Sequence, residues 1–396
     1  MITEMTDAIR PLAGIRVVDL TTNMSGPMAT MVLADQGADV VKIEALGGDP
    51  IRTVGSGHKG MSAYFANNNR AKRSVAVDLS TERGRALVLR LVDGADVFAQ
   101  NFRPGVIERL GLGHDVVMQA NPRIIYASIS GFGSTGPLAD APAYDHVVQA
   151  LSGFVAIQSA GTGEPSMVRH GVIDKATALQ LAQAITAALF RRERTGEGAR
   201  IDVSMLDAAI AFLWPDGMMD HTVDEPEVVL PPTSRSFRVT PTADGHVVLV
   251  TLTGAQWAGL TAAVLDDEGD AAMQDTAERM KGGAEVMRKV RAALASMPTD
   301  EVVKRLRAAD VPVAPVLALD EVAANDQVQA SGTVRAFNHA ALGPVHQPRP
   351  APLFDGKAID PVPAAPRLGE HADEVLREAG WDQAEIDALR ADRVIG

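Results

Sequence analysis

The chain has 396 residues, 46% of them hydrophobic and 22% charged, enough for two domains and a large buried core. Its formal net charge of −13 argues against broad nucleic-acid binding and against an anionic membrane surface, so anions can bind only where a few Lys and Arg gather. There is no cysteine, which excludes disulfides, thiolate nucleophiles and Cys-held metals, and nine scattered histidines without HxxxH or HExxH spacing offer no metal site.

The opening segment, "MITEMTDAIRPLAG", has no apolar signal-like core, and no apolar run reaches membrane-spanning length, so a cytoplasmic protein is expected. Next come short β-branched runs alternating with helical stretches. "GIRVVDLTT" reads as a buried strand, "GPMATMVLADQG" as a helix ending at Gly37, and "ADVVKIE" and "RSVAVDL" as further strands. "STERGRALVLRLVDG" is an amphipathic helix, followed by "ADVFAQNF", a short helix around Val116, and "PRIIYASIS". Continuous apolar strands joined by helical crossovers predict a parallel sheet covered on both faces. Its ligand edge lies beyond the carboxyl ends of the strands, at Thr21–Ser25, Glu44–Asp49, Asn101–Arg103 and Ser130–Gly133.

From about residue 225 the texture changes. "PEVVLPPTSRSFRVT" is proline-rich, "SFRVTPTADGHVVLVTL" predicts a hairpin turning at Asp244-Gly245, and helical patterns follow at 254–266, 282–297 and 299–309 before a strand, "VPVAPVLAL". The end of the chain predicts two short helices.

Several motifs carry less than they suggest. "GFGSTG" (Gly131–Gly136) fits G-x-G-x-x-G but opens no helix, so its glycines read as turn residues rather than a dinucleotide site. "GGDPIR" lacks the Walker lysine and reads as a turn with an exposed acid, and no GxSxG occurs. The densest basic group is Arg70, Lys72 and Arg73 with Arg103 and Arg109, a solvated face or a phosphate site.

The sharpest feature is "HGVIDKATALQLAQAITAALFRRERTGEG" (170–198), where Asp174 opens a largely apolar helix interrupted only by a stripe of Thr177, Gln180, Gln183 and Thr186. Such a helix belongs in the core. Asp174 is expected to be its N-cap, with helix-end amides favouring the ionised carboxylate. A carboxylate fixed, partly dry and ionised can also serve as a nucleophile.

"PLAGIRVVDLTTNMSGPMATMVLADQGADVVKIEALGGDPIR", "NNNRAKRSVAVDL", "ADVFAQNFRPGVIERLGLG", "GVIDKATAL…AALFRRERTGEG" and "PRLGEHADEVL" together resemble the family III CoA-transferases over nearly the whole chain. The resemblance implies a large Rossmann-like domain from residues 1–220 and 330–396, a smaller α/β domain at 225–329, and an interlocked dimer of ring-like chains. It implies no resident cofactor, with acyl-CoA and a small carboxylic acid as substrates. Asp174 takes the nucleophile's position, forming an aspartyl–acyl anhydride and then an enzyme–CoA thioester. Val77, Asp78, Leu79 and Ser80 match the adenine-side strand, and Asn101, Phe102 and Arg103 match the "NF-x-PG" loop. Arg109 matches a position meeting CoA phosphates. Pro142, Ala143, Tyr144 and Asp145 match a segment lining the pantetheine and active site, and Met24 and Ser25 a loop facing the acyl group.

This sequence departs from the oxalate-using members, which carry glutamine, arginine and lysine where it has Met24, Ala45 and Pro142. That favours a larger or less polar acyl group. The related α-methylacyl-CoA racemases place a histidine where Tyr144 stands, so transfer is favoured over epimerisation. Epimerisation and CoA binding without turnover are the alternatives.

Overall fold

Six runs pair side by side in one parallel sheet: β1 (Arg16–Asp19), β2 (Asp39–Glu44), β3 (Lys72–Ala76), β4 (Val97–Gln100), β5 (Ile125–Ser130) and β6 (Ala199–Ser204). The computed structural model describes residues 9–58, 60–159, 163–225, 237–265, 276–359 and 362–396. By internal contacts the chain divides into two units, Met1–Thr222 with Ser331–Gly396, and Val223–Ala330.

The sheet's spatial order is β3-β2-β1-β4-β5-β6. The winding direction reverses between β1 and β4, and in such sheets the crevice for ligands opens there, beyond the strand ends. Alternation along each strand feeds two cores. Val17, Val40, Val97 and Ile125 enter one, while Val18, Val41, Phe98 and Tyr126 enter the other. Burial on both faces explains why these strands read as unbroken apolar runs.

The helices of this unit begin with α1 (Ser25–Asp35), α2 (Ala63–Asn69), α3 (Glu82–Asp93) and α4 (His114–Ala120), and continue with α5 (Asp145–Leu151), α6 (Val172–Thr195) and α7 (Met205–Gly217). Residues of α1 and α6 fill the first core, and those of α3 and α4 the second. Ser62, Thr81 and Ser204 cap α2, α3 and α7 by accepting the amides of Phe65, Gly84 and Asp207.

In the second unit, β7 (Thr240–Pro241) and β8 (His246–Leu249) form the predicted hairpin, and β9 (Val313–Pro315) completes a three-stranded antiparallel sheet. With α8 (Gly254–Leu265), α9 (Thr276–Leu294) and α10 (Thr299–Ala308), it encloses a core that includes Val247, Leu260, Leu294 and Leu306. The chain then returns to the first unit. There α11 (Ala372–Glu378) and α12 (Gln383–Ala391) pack into the second core, and Ile395 bridges to Val77 at the end of β3.

Two expectations need correction. Sequence patterning misses β6, because Ile201 and Val203 face the core while Arg200 and Asp202 are exposed, leaving no apolar run. Nor is α6 wholly interior. Leu179 and Phe190 are 52% and 65% exposed, whereas Thr177 of the expected polar stripe is buried and donates to Ile173 O at 2.8 Å. Among the described residues no helix is long and apolar enough to cross a membrane.

Candidate active site

The loops that leave β1 and β4 are joined at the reversal of the sheet. The Asn101 carboxamide donates to Thr22 O at 2.8 Å and accepts Thr22 N at 2.8 Å. Just past this pair, Asn23 adopts a left-handed φ of 65° and turns the chain into α1, whose first residue is Ser25.

Beneath the loop lies a buried ionic network. Lys42 Nζ, fully enclosed, donates to Thr21 O at 2.7 Å and pairs with Asp49 Oδ2 at 3.0 Å. Lys72 Nζ pairs with Asp19 Oδ2 at 2.9 Å and also donates to Pro27 O, Thr30 Oγ1 and Asn69 Oδ1. Burial pushes the Lys72 ammonium down to about 8 against the pull of Asp19. Burial alone would raise the Asp19 carboxyl, but Lys72, Lys42 and Thr21 outweigh it and hold it below the usual range.

This network overturns two sequence-based expectations. Asp49 is not an exposed turn acid; it is 3% exposed and accepts the amides of Asn23 and Ile51. Nor do Arg70, Lys72 and Arg73 offer themselves to a phosphate. Arg70 makes a two-pronged pair with Asp35, at 2.8 and 2.6 Å, Arg73 pairs with Asp39, Glu374 and Glu378, and Lys72 is enclosed.

Asp174 sits in the first turn of α6, where the N-termini of α1 and α6 meet. It is not the N-cap. That position is Gly171, which has no side chain to cap with, and the amides of Ile173 and Asp174 are accepted instead by Asp145 Oδ2, at 2.7 and 3.0 Å. Asp145, in the first turn of α5, is 3% exposed, and its other oxygen accepts Gln149 Nε2 at 2.5 Å. Gln149 in turn accepts Val168 N at 3.0 Å and donates to Val168 O and His170 O, fixing the approach to α6.

The expected preference for the ionised form is also reversed. Burial, followed by the charge of Asp145, pushes the Asp174 carboxyl up to about 6, despite a hydrogen bond from Ser25 and the favourable charges of His146 and Lys175. Met24 completes the wall. A Cβ built on Gly171 would lie 2.8 Å from Met24 Sδ and 3.4 Å from Asp174 Oδ2, so sulfur and carboxylate flank the same bare backbone. Tyr64 OH donates to Met24 Sδ at 3.3 Å, and burial together with the charges of Asp174, Asp145 and Asp49 raises its pKa.

The structure therefore gathers Met24, Ser25, Asp145 and Asp174 in one place. Sequence reasoning misses Tyr64, Gln149 and Gly171, which join them there. Tyr64 lies in the short helix "AYFANNN", which shows no period, and the signal for Gln149 is only its spacing of four from Asp145.

The remaining candidates fall elsewhere. Val77 is fully buried, and the Asp78 carboxylate accepts the amide and hydroxyl of Ser80, while Arg85 donates to the carbonyls of Leu79 and Ser80. Phe102 and Arg103 line a groove of about 350 Å³ with Pro104, Gly133 and Ser134, and Arg109 is exposed one short helix further on. Ala143 packs on Gly131, while Pro142 and Tyr144 are exposed, Tyr144 by 64%. Among the described residues no group of His, Asp and Glu could hold a metal ion.

Comparison with known proteins adds an independent line. Residues 12–372 match the sequence model of CoA-transferase family III. The chain is 35% identical over 393 residues to the succinate–glutarate CoA-transferase of Agrobacterium fabrum, covering 95% of this chain and 97% of that protein. It is 32% identical to the succinyl-CoA:glutarate CoA-transferase of Mus musculus, covering 98% and 91%. Among solved structures, that of Rv3272 from Mycobacterium tuberculosis matches with a TM-score of 0.81 at 31% identity, covering 93% of this chain and 100% of that one.

Proposed function

The chain belongs to CoA-transferase family III and is an enzyme that moves CoA between an acyl-CoA and a carboxylic acid; from that premise we propose that Asp174 is its covalent nucleophile. The observation that carries the proposal is a carboxyl held against Ser25 and Met24 at the ligand edge of the sheet, with a pKa of about 6. Above that pH it is ionised, and the raised value makes it a better electron-pair donor than an ordinary aspartate.

The reaction balances without metal, protein thiol or ATP. An Asp174 oxygen attacks the thioester carbonyl, the C–S bond breaks, and an aspartyl–acyl anhydride and CoA thiolate result. The thiolate attacks the aspartyl carbonyl and releases the donor as its carboxylate, leaving CoA on Asp174 as a thioester. The acceptor carboxylate attacks that thioester and frees the thiolate. Attack of the thiolate on the acceptor's acyl carbon then gives the new acyl-CoA and restores Asp174. No proton is gained or lost over the cycle.

Binding of CoA fits the layout of the strand ends. Val77–Ser80 follow β3 and Phe102–Arg109 follow β4, three strand spacings apart, or about 14 Å. An extended ligand can bridge that distance, with Arg103 and Arg109 as exposed cations for its phosphates. The relatives' names make succinate and glutarate the first acids to try, and Met24 and Tyr64 would face the chain of the acyl group. A second copy of the chain would cover Leu179 and Phe190 of α6 and Phe212 and Trp214 of α7, which are large apolar side chains left in water.

Incubation with acyl-CoA followed by hydroxylamine tests the mechanism. An Asp174 hydroxamate is expected in the wild type and none in Asp174→Asn, which should lose turnover but keep its fold. Turnover that survives Asp174→Asn would falsify the assignment. His146, near enough for its charge to favour ionised Asp174, supports two-base epimerisation as a second reading. Deuterium entering the α-carbon without CoA exchange would select that reading.

A further inference from the structure

We propose that Lys42, Asp49 and Asn101 are positioning residues that hold the tripeptide Thr21–Asn23 in a single conformation, and through it set Met24 and Ser25 against Asp174. The inference rests on the nucleophile assignment above and adds to it a device for keeping the opposite wall in register.

Sheet pairing ends at Leu20, whose amide still bonds to Ala99 O at 2.8 Å. Beyond it, five successive backbone groups are each met by a side chain. Thr21 N donates to Asp19 Oδ1 at 2.9 Å, and Thr21 O accepts Lys42 Nζ at 2.7 Å. Thr22 N and Thr22 O both pair with Asn101 at 2.8 Å, and Asn23 N donates to Asp49 Oδ1 at 3.2 Å. The four side chains come from β1, from β2, from the loop after β2 and from the residue after β4. One short loop is thus referenced to four separate segments.

Two features mark this as more than ordinary loop packing. Asn23 lies in the left-handed region at φ 65°, which a non-glycine residue keeps only where its surroundings hold it. Lys42 is a fully buried ammonium, and a buried ion pair adds little stability over well-packed apolar residues. What a lysine supplies here and an apolar residue cannot is a donor fixed beneath Thr21 O.

The loop also packs directly against the start of α1. A Cβ at Gly26 would fall 2.4 Å from Thr21 Cβ, so the first turn of the helix rests directly on the clamped residue. Ser25 is buried within that turn and hydrogen-bonds Asp174. By this geometry Asn101 orients the site rather than contacting CoA, since its carboxamide already holds both polar groups of Thr22.

Asn101→Ala removes two of the clamp's bonds without stranding a buried charge. Asp49→Asn is the harsher variant: it keeps an oxygen for Asn23 N but leaves the buried Lys42 ammonium without its counter-charge, so Asn101→Ala carries the test. Amide exchange at Thr22 and Asn23 should rise about tenfold or more in Asn101→Ala, with the amides of β1 and β4 unchanged. kcat should fall by up to about 10²-fold while KM for the acyl-CoA stays within about twofold. The acid limb of kcat should move upward, as in Ser25→Ala, with no further movement when the two changes are combined. Around Asp174 the other groups that set this limb are Asp145 and His146 of α5, Lys175 of α6 and Tyr64 of α2, and none is altered.

Unchanged exchange at Thr22 and Asn23 overturns the clamp. So does a raised KM at constant kcat, which would make Asn101 a CoA contact. Failure of the nucleophile assignment is seen separately, as turnover in Asp174→Asn, and the exchange measurement judges the clamp whichever way that falls.

Discussion

Asp145 Oδ2 accepts the amides of both Ile173 and Asp174, at 2.7 and 3.0 Å, so a carboxylate at the start of one helix closes the first turn of another. The arrangement frees the Asp174 side chain from capping its own helix. It also places a second negative charge beside it, which, after burial, is the largest influence raising its pKa.

Asp145→Asn separates these two roles. The amide oxygen can still accept from the helix, but the charge is gone, so the Asp174 pKa should drop below its present value of about 6. The acid limb of the kcat–pH profile should then move to lower pH. Asp145→Ala removes both acceptors and leaves two amides unmet, at a cost of about 1–3 kcal/mol for each buried group left without a partner. Its melting temperature should fall further than that of Asp145→Asn, which keeps the bonds to both amides and loses only the one from Gln149 Nε2. An acid limb that does not move in Asp145→Asn would show that the neighbouring charge is screened.

How much of this can be read from the sequence depends on what each element buries. Strands packed on both faces, such as Val97–Gln100, announce themselves as apolar runs, and β6, with Arg200 and Asp202 in water, does not. Asp174 is visible because an acid at the mouth of an apolar helix breaks a pattern. Its partner Asp145 can be placed near the site only through the family resemblance, because its bonds to α6 span 28 and 29 residues. Lys72 and Arg70 mislead for the same reason. Composition shows cations close together, whereas the carboxylates that neutralise them, Asp19 and Asp35, lie more than 30 residues earlier in the chain.

Stability should record the strain at Asp174. Its folded pKa of about 6 lies above the ordinary aspartate value of 3.8, so the folded state holds the proton more tightly. That contribution is fully present below about pH 4 and is lost as pH rises through 6. Ionised Asp174 thus costs the fold at most about 3 kcal/mol near neutrality, since each tenfold change in proton affinity is worth about 1.4 kcal/mol. Asp174→Asn, which cannot ionise, should melt higher than wild type at pH 8 and together with it near pH 4. Equal melting temperatures at pH 8 would mean that solvent reaches the carboxylate more freely than its burial implies.

Gly171 offers a test of the acyl-facing wall. Its backbone, at φ −68° and ψ 71°, is not in the left-handed region, so alanine brings no φ strain; the difficulty is space. The added methyl would come within 2.8 Å of Met24 Sδ and 3.4 Å of an Asp174 oxygen, so the flexible thioether must swing away. Moving the sulfur breaks its contact with Tyr64 OH and narrows the space beside the nucleophile. Gly171→Ala should therefore lower kcat for branched or long acyl donors more than for short ones. Met24→Ala, by removing the sulfur, should relieve most of that loss in the double variant, a coupling that kcat/KM for the four proteins of the cycle measures directly. If the two substitutions act additively, Met24 and Gly171 do not share one wall, and the length of the acyl chain is decided elsewhere.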